Sequence, residues 1–343
     1  MIRRVVLGLG IAALATASCS GSSSSLPAVH RTTPKPGEIV TVLGAGKSGP
    51  YHRSYFGTAA DKQGTLYATD ENGNVLRVGV DGKVTRAARG ADIFDPIVVD
   101  EAGTLYVAGG GRIRAISGNK QVTVAGTGRA GKPGPANGPA LSVDLGDTRG
   151  LAIDRNGNVY FANGSIAVAK VSGDGTLTTI AGTDKGGFSG DGGPATAAQF
   201  NNVSALAVDG AGNIFVTDEQ RIRRIDTHGI ITTIAGTGAV GSSGDDGPAT
   251  QATFNFPSGL AVDPAGDVFV SDEFNSRVRR IARDGIITSV VGNGARSFSG
   301  EGVPAIQASL DRPRGLAFDG ALNLYIAELD NMRVRVVGAL GRA

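Results

Sequence analysis

Three histidines, one cysteine and a series of regularly placed aspartates carry most of this chain's capacity for chemistry. Zinc binding or acid–base catalysis needs several such groups to converge on one point. His30, His52 and His228 lie far apart, and no pair has ligand spacing. Of these, His52 alone, within Pro50-Tyr-His-Arg-Ser-Tyr-Phe56, stands among residues that would frame a site. Serines are plentiful, but none sits in a Gly-x-Ser-x-Gly elbow. Gly44-Ala-Gly46-Lys47-Ser48 ends like a phosphate loop, yet Thr41 replaces the leading glycine that the loop requires. Asp70-x-Asn72-x-Asn74 begins like a calcium loop, but Val75 and Asp81 stand where glycine and glutamate belong. Asp191, Asp245 and Glu301 recur once per glycine-rich loop, too far apart to build one oxygen cage. The residues therefore predict no catalytic group, no metal and no cofactor.

Cys19 invites a different chemistry. Arg3 and Arg4 precede a mostly apolar stretch from Val5 to Ala17, which is too short to span a bilayer and reads as a signal segment over residues 1–19. Ala15-Thr16-Ala17 fits ordinary secretory cleavage, whereas Ala17-Ser18-Cys19 resembles a bacterial lipobox with Thr16 in place of the usual leucine. The latter is favoured because Cys19 is the only cysteine, without an internal disulfide partner. A Ser/Pro-rich tether follows over 20–38. The expectation is a protein lipidated at Cys19 on the outer face of the cytoplasmic membrane, with plain secretion as the alternative.

Thirty-three basic residues face 31 acidic ones, a net charge of +2, which gives no broad footprint for nucleic acid. The 54 glycines follow no three-residue period. They cluster between short β-branched runs, as in turn-rich all-β chains.

The element that must position any site is a unit repeated six times. An apolar run, an aspartate, two residues, usually a glycine, one residue and a second apolar run recur at Asp61, Asp100, Asp154, Asp209, Asp263 and Asp319. The fifth copy predicts four strands: Gly259–Val262, Val268–Ser271, Arg277–Ile281 and Ile286–Val291. Four antiparallel strands repeated radially make a propeller blade. The sixth copy stops after its third strand, while Ile39-Val-Thr-Val-Leu-Gly-Ala-Gly46 matches the fourth strands of other copies. The N-terminal strand is thus expected to complete the last blade and close the ring over residues 39–338, with a tail at 339–343.

Asp272-x-x-Asn275-x-Arg277-Val-x-Arg280-Ile281, with Gly-Leu-Ala-Val-Asp before it and Ile-Ala-Gly-Thr-Gly fourth strands elsewhere, resembles the NHL repeat. Blades one to three depart in part. Asn74 and Ala167 replace the arginine that opens the third strand, and Gly109 and Asn163 replace the acid at Asp272. The resemblance implies a recognition platform, as in sensor domains of bacterial receptor kinases. It also implies an alternative, a lyase or hydrolase, because streptogramin lyases share this fold and use histidines near the axis, where only His52 would qualify. Asp272 with Arg277, Asp218 with Arg221 and Glu328 with Arg333 are expected to face one another across hairpins as ion pairs.

The informative positions are those where copies differ on a fixed scaffold. Five residues before each hairpin aspartate stand Phe56, Asp95, Arg149, Ser204, Ser258 and Arg314, with Arg53, Tyr55 and Arg312 among their neighbours. A ring of arginine, acid and aromatic groups at the channel mouth suits a small anionic molecule, a peptide or a protein ligand. The expected protein is a monomeric binding module.

Overall fold

The structure, a computed structural model, describes residues 26–340 except 30, 45–50, 52 and 90–95. The expectations for Cys19, His52 and Asp95 fall outside the described residues. The strands form six antiparallel sheets of four or five strands. Their innermost strands are Tyr55–Ala60, Ile97–Val99, Thr148–Ile153, Leu206–Val208, Pro257–Val262 and Pro313–Phe318. Each touches the innermost strand of the next blade, and the sixth touches the first, so the ring is closed.

Each blade alternates short β-branched strands with aspartate turns. The aspartate Oδ1 accepts the backbone N–H groups two and four residues on, as Asp154 does from Asn156 and Asn158, both at 2.9 Å. That carboxylate satisfies donors the turn would otherwise leave unpaired. Space at the axis also constrains the sequence. A Cβ on Gly259 would lie 1.8 Å from the carbonyl oxygen of Arg314, so only glycine lets blades five and six approach this closely.

No single central core exists. Apolar side chains fill slabs between neighbouring blades: Phe200, Val203 and Val216 lie in one, and Phe254, Val268 and Val270 in the next. Phe269 of blade five meets Phe318 of blade six edge-on, with centroids 4.9 Å apart.

The last blade is completed as expected. Glu38–Leu43 pairs antiparallel with Arg333–Val337, placing Ile39 opposite Val337 and Val40 opposite Val336. Ile39 packs into the slab between blades five and six, while Val40, Val42 and Leu43 pack into that between six and one.

The glycine-rich loops do more than connect blades. Gly138–Pro139, Gly247–Pro248 and Val303–Pro304 each add a short fifth strand to the outer edge of the blade that follows, and Pro194 bridges Ile230 in the same way. The chain before the ring does this for blade one. Val29 N donates to Gly82 O at 2.9 Å, as Ala249 N donates to Gly285 O at 2.8 Å in blade five. Part of the segment read as tether is therefore docked: Arg31 Nη1 reaches Gly64 O at 2.6 Å and its Nη2 reaches the Tyr325 hydroxyl at 2.6 Å.

Deleting Glu38–Leu43 would open the ring and expose four buried apolar side chains. At about 1.5–3 kcal/mol each, the loss is roughly 6–12 kcal/mol, comparable to a domain's whole stability. The truncated protein should show no cooperative thermal transition by circular dichroism, whereas a melt like that of the intact chain would refute closure by this strand.

Candidate binding site at the channel mouth

Three buried arginines hold the loops that surround the ring. Arg223, Arg279 and Arg335 occupy the middle of the third strand in blades four, five and six and are 0%, 1% and 0% exposed. Arg223 gives Nη2 and Nε to Asp191 at 2.8 and 3.2 Å and Nη1 to Asp218 at 3.2 Å. It also donates to the carbonyls of Ser189 and Gln199. Arg279 repeats this with Asp245 at 2.8 Å, Asp272 at 3.5 Å and the carbonyls of Ser243 and Thr253. Arg335 sits between Glu328 at 3.7 Å and Glu301 at 4.0 Å and donates to Gly300 and Ser309. A buried guanidinium needs its donors met, as Arg223 and Arg279 achieve, whereas Arg335 Nε has no hydrogen-bond partner among the described residues.

This corrects the expected ion pairs. Asp272 and Arg277 are opposite in register, but the carboxylate turns inward to Arg279, and Arg277 instead approaches Asp245 at 3.5 Å. Asp218 and Glu328 likewise pair with Arg223 and Arg335, not with Arg221 and Arg333. Side chains alternate across a strand, so residues two apart share a face. The Arg-x-Arg spacing at 221/223, 277/279 and 333/335 carries that signal.

The other blades keep the position with different chemistry. In blade three a neutral Asn163 replaces the acid, its Nδ2 donating to Gly134 O at 2.7 Å and its Oδ1 accepting from Gly146 N. Ala169, fully buried, replaces the arginine. In blade one Asp70 is met by Arg53 at 2.8 Å. Arg53 is thus spent on its own blade, and Tyr55, fully buried in the slab between blades six and one, gives its hydroxyl to Tyr51 O. Tyr55 is thus withdrawn from the mouth, whereas the Arg53 side chain stays 37% exposed.

The structure gathers the remaining positions. Phe56, Ser204, Ser258 and Arg314 line one constriction of 90 Å³ with the inner-strand glycines Gly57, Gly150, Gly259 and Gly315. Ladder irregularities fall at Tyr55/Thr58, Arg149/Leu151, Pro257/Gly259 and Pro313/Leu316. An extra residue in a strand re-aims the side chain beside it, which is how the mouth residues leave the ladder. Ser204 Oγ donates to Pro257 O at 3.3 Å and Ser258 Oγ to Pro313 O at 3.5 Å, so both serines also join blade to blade.

Arg314 lies over the Phe56 ring, 5.9 Å from its centroid, and its Nε stands 3.5 Å from Glu273. Burial pulls its pKa below the ordinary arginine range; Glu273 opposes this, and Arg312 and Arg149 add to it. Arg312 binds Glu273 Oε1 at 2.7 Å and covers Phe274, which is partly exposed and stacks near Phe256. Arg149 reaches Asp147 at 2.9 Å and Asn202 at 3.4 Å. Phe256 and Arg312 hold φ of 63° and 50°, a left-handed conformation uncommon for bulky residues, and cases like these gather at binding sites. Glu273 and Phe274 belong to this site but were missed by sequence reasoning, because they lie in a short turn between strands that only blade folding brings to the mouth.

Below the constriction the channel is apolar, walled by Ala60, Val99, Ile153, Val208, Val262 and Phe318. Among the described residues no three histidine, cysteine or acidic side chains converge as metal ligands, and His228 stands exposed on a hairpin turn.

These features define a six-bladed β-propeller with an arginine-rich channel mouth. Parts of the ring match NHL families. A teneurin NHL domain matches residues 186–243 and an NHL repeat matches 254–281. Teneurin-1 of Mus musculus is 34% identical over 158 residues, 42% of this chain but only 6% of that protein. Among solved structures, an auxiliary nutrient binding protein from Bacteroides thetaiotaomicron aligns with a TM-score of 0.65 at 14% identity, covering 88% of this chain and 76% of that one. Virginiamycin B lyase from Staphylococcus aureus aligns at 0.54 and 14%, covering 88% and 98%. At such identities the likeness concerns the fold.

Breaking a buried lock should cost far more than breaking an exposed one. Arg279→Ala leaves Asp272 buried and is expected to cost about 3–5 kcal/mol. Arg296→Ala, which removes an exposed cation, should cost at most ~1 kcal/mol. Urea denaturation reads both, and equal losses would remove the locks from the account of stability.

Burial pushes the Glu328 carboxyl up to about 7, with Arg335 opposing the rise. A folded-state pKa above the unfolded value means the native state holds the proton more tightly. This contribution is complete below the unfolded pKa of about 4.3 and is lost as pH rises through the folded value. The stability of the wild type relative to Glu328→Gln should therefore fall between pH 4.5 and 7. A constant difference over that range would show that Glu328 stays ionised.

Proposed function

We propose that this protein is an exported, monomeric recognition module, anchored through a lipid on Cys19, that binds an anionic ligand at the channel mouth. The observation that carries the reading is the gathering of Arg149, Arg312 and Arg314 at one mouth, where the acids beside them among the described residues are Asp147, the buried Glu273 and Asp330, 3.7 Å from Arg312. Guanidinium groups in a constricted, partly desolvated site recognise carboxylates and phosphates through paired hydrogen bonds. Phe56 and Phe274 supply flat apolar surface beside them. The likeness to an auxiliary nutrient binding propeller points toward binding as well.

A thermal-shift series with citrate, inorganic phosphate, acidic dipeptides and neutral sugars tests the site. A ligand that binds only the native state raises the melting temperature. Carboxylates or phosphates should raise it and neutral sugars should not, and Arg149→Ala or Arg314→Ala should reduce the affinity about tenfold or more, equivalent to ~1.4 kcal/mol. Shifts that persist in both variants would place binding elsewhere. For the anchor, the wild type should partition into the detergent phase of Triton X-114 and Cys19→Ser into the aqueous phase. Aqueous partitioning of both would favour plain secretion.

A further inference from the structure

On the face of the ring that carries the aspartate hairpins, grooves run between neighbouring blades, and two of them are the same groove in different states. Between blades six and one the groove is occupied by the chain itself. Residues 31–34 lie among Asp319, Tyr325 and Val336 on one side and Gly64 and Val80 on the other. The occupant runs on from Val29, bonded to the backbone at Gly82, and its Arg31 enters the groove to meet Gly64 O, Gly79 O and the Tyr325 hydroxyl.

Between blades four and five the equivalent groove is the larger, 670 Å³, and no segment of the described chain lies in it. The match is positional. Val336 lies opposite Tyr325 in its ladder, as Arg224 lies opposite Phe215. Val80 and Arg283 each stand immediately before the Asp-Gly of the outer hairpin. Two apolar positions of the occupied groove are thus arginines in the open one, and Tyr325, whose hydroxyl accepts from Arg31, is replaced by Phe215. Arg155 adds a third guanidinium at the rim. The acids present, Asp209 and Asp263, already accept backbone N–H groups within their own turns. Arg224 Nε is buried without a hydrogen-bond partner among the described residues.

A groove shaped for an extended chain, with its polarity inverted from cation-accepting to anion-accepting, selects its occupant by charge. We propose that the groove between blades four and five docks an extended segment of a partner protein carrying an aspartate or glutamate, whose carboxylate meets Arg224 and Arg283. The apolar walls, Phe215, Ile234 and Val268, take the flanking side chains. This surface is separate from the arginine-rich mouth, so one molecule can engage a ligand and a partner together.

The test uses two capped, fluorescein-labelled peptides copied from residues 26–36, one with Arg31 retained and one with Glu in its place, titrated against the full protein by anisotropy. The Glu peptide should bind at least about tenfold tighter than the Arg peptide, a difference of ~1.4 kcal/mol, and should weaken as salt rises. Arg224→Ala and Arg283→Ala should each reduce its affinity about fivefold or more, while Arg149→Ala should leave it unchanged. Arg283 is exposed, so its variant stays informative even if Arg224→Ala lowers the melting temperature. Absence of saturable binding, equal affinity for both peptides, indifference to Arg224→Ala and Arg283→Ala, or loss of binding in Arg149→Ala would each overturn the proposal.

Discussion

A guanidinium buried in the third strand of each of the last three blades is the interaction on which the rest of this half of the ring depends. A propeller blade is only four strands wide, and its outer edge is a row of unpaired backbone groups. Here that edge is covered by the loop arriving from the preceding blade, and the loop stays in place because Arg223, Arg279 or Arg335 binds its carbonyls and its acid together. An aromatic ring in the same loop backs the cation, with Phe200 and Phe254 each 5.0 Å from it. Desolvating an arginine is expensive, and Arg223 and Arg279 offset it by using nearly every donor. A second carboxylate from the neighbouring strand completes the neutralisation.

The same constraint explains how the blades vary. Where the arginine becomes Ala169, the partner acid becomes Asn163, so no unpaired charge is left in the interior. For blade one the N-terminal chain supplies both the edge contact through Val29 and a cation through Arg31. Arg53 meets Asp70 from the bend before the innermost strand. In blades one and three charge balance is kept, while the residue that provides it changes. Rigid blades in turn leave the mouth free to differ from copy to copy, because the scaffold is set by the hairpins and slabs and not by the side chains of Phe56, Arg149 and Arg314.

The fold was legible in the sequence because a propeller is a local unit repeated. Each aspartate hairpin uses hydrogen bonds within five residues, so its signal survives in the order of residues alone. The N-terminal strand betrayed its destination by matching other fourth strands, although its partner lies some 290 residues away. The mouth was legible in part. Phe56, Arg149, Ser204, Ser258 and Arg314 were found by counting back from the hairpins, and the ring brings four of them to one constriction with Arg149 beside it. Tyr55 was not distinguishable from Phe56 by spacing, since the ladder irregularity between them decides which side chain faces the channel.

By itself, then, the sequence determined the number of blades, their strands, the turns between them and the position of closure, all properties of short-range order and repetition. Only the tertiary structure decided which arginine each acid would meet, that Glu273 and Phe274 would stand beside Arg312, and that one groove would fill with the chain itself while its counterpart stayed open. Those outcomes rest on contacts between segments distant in the chain, where side-chain direction and exclusion of water, not residue order, select the partner.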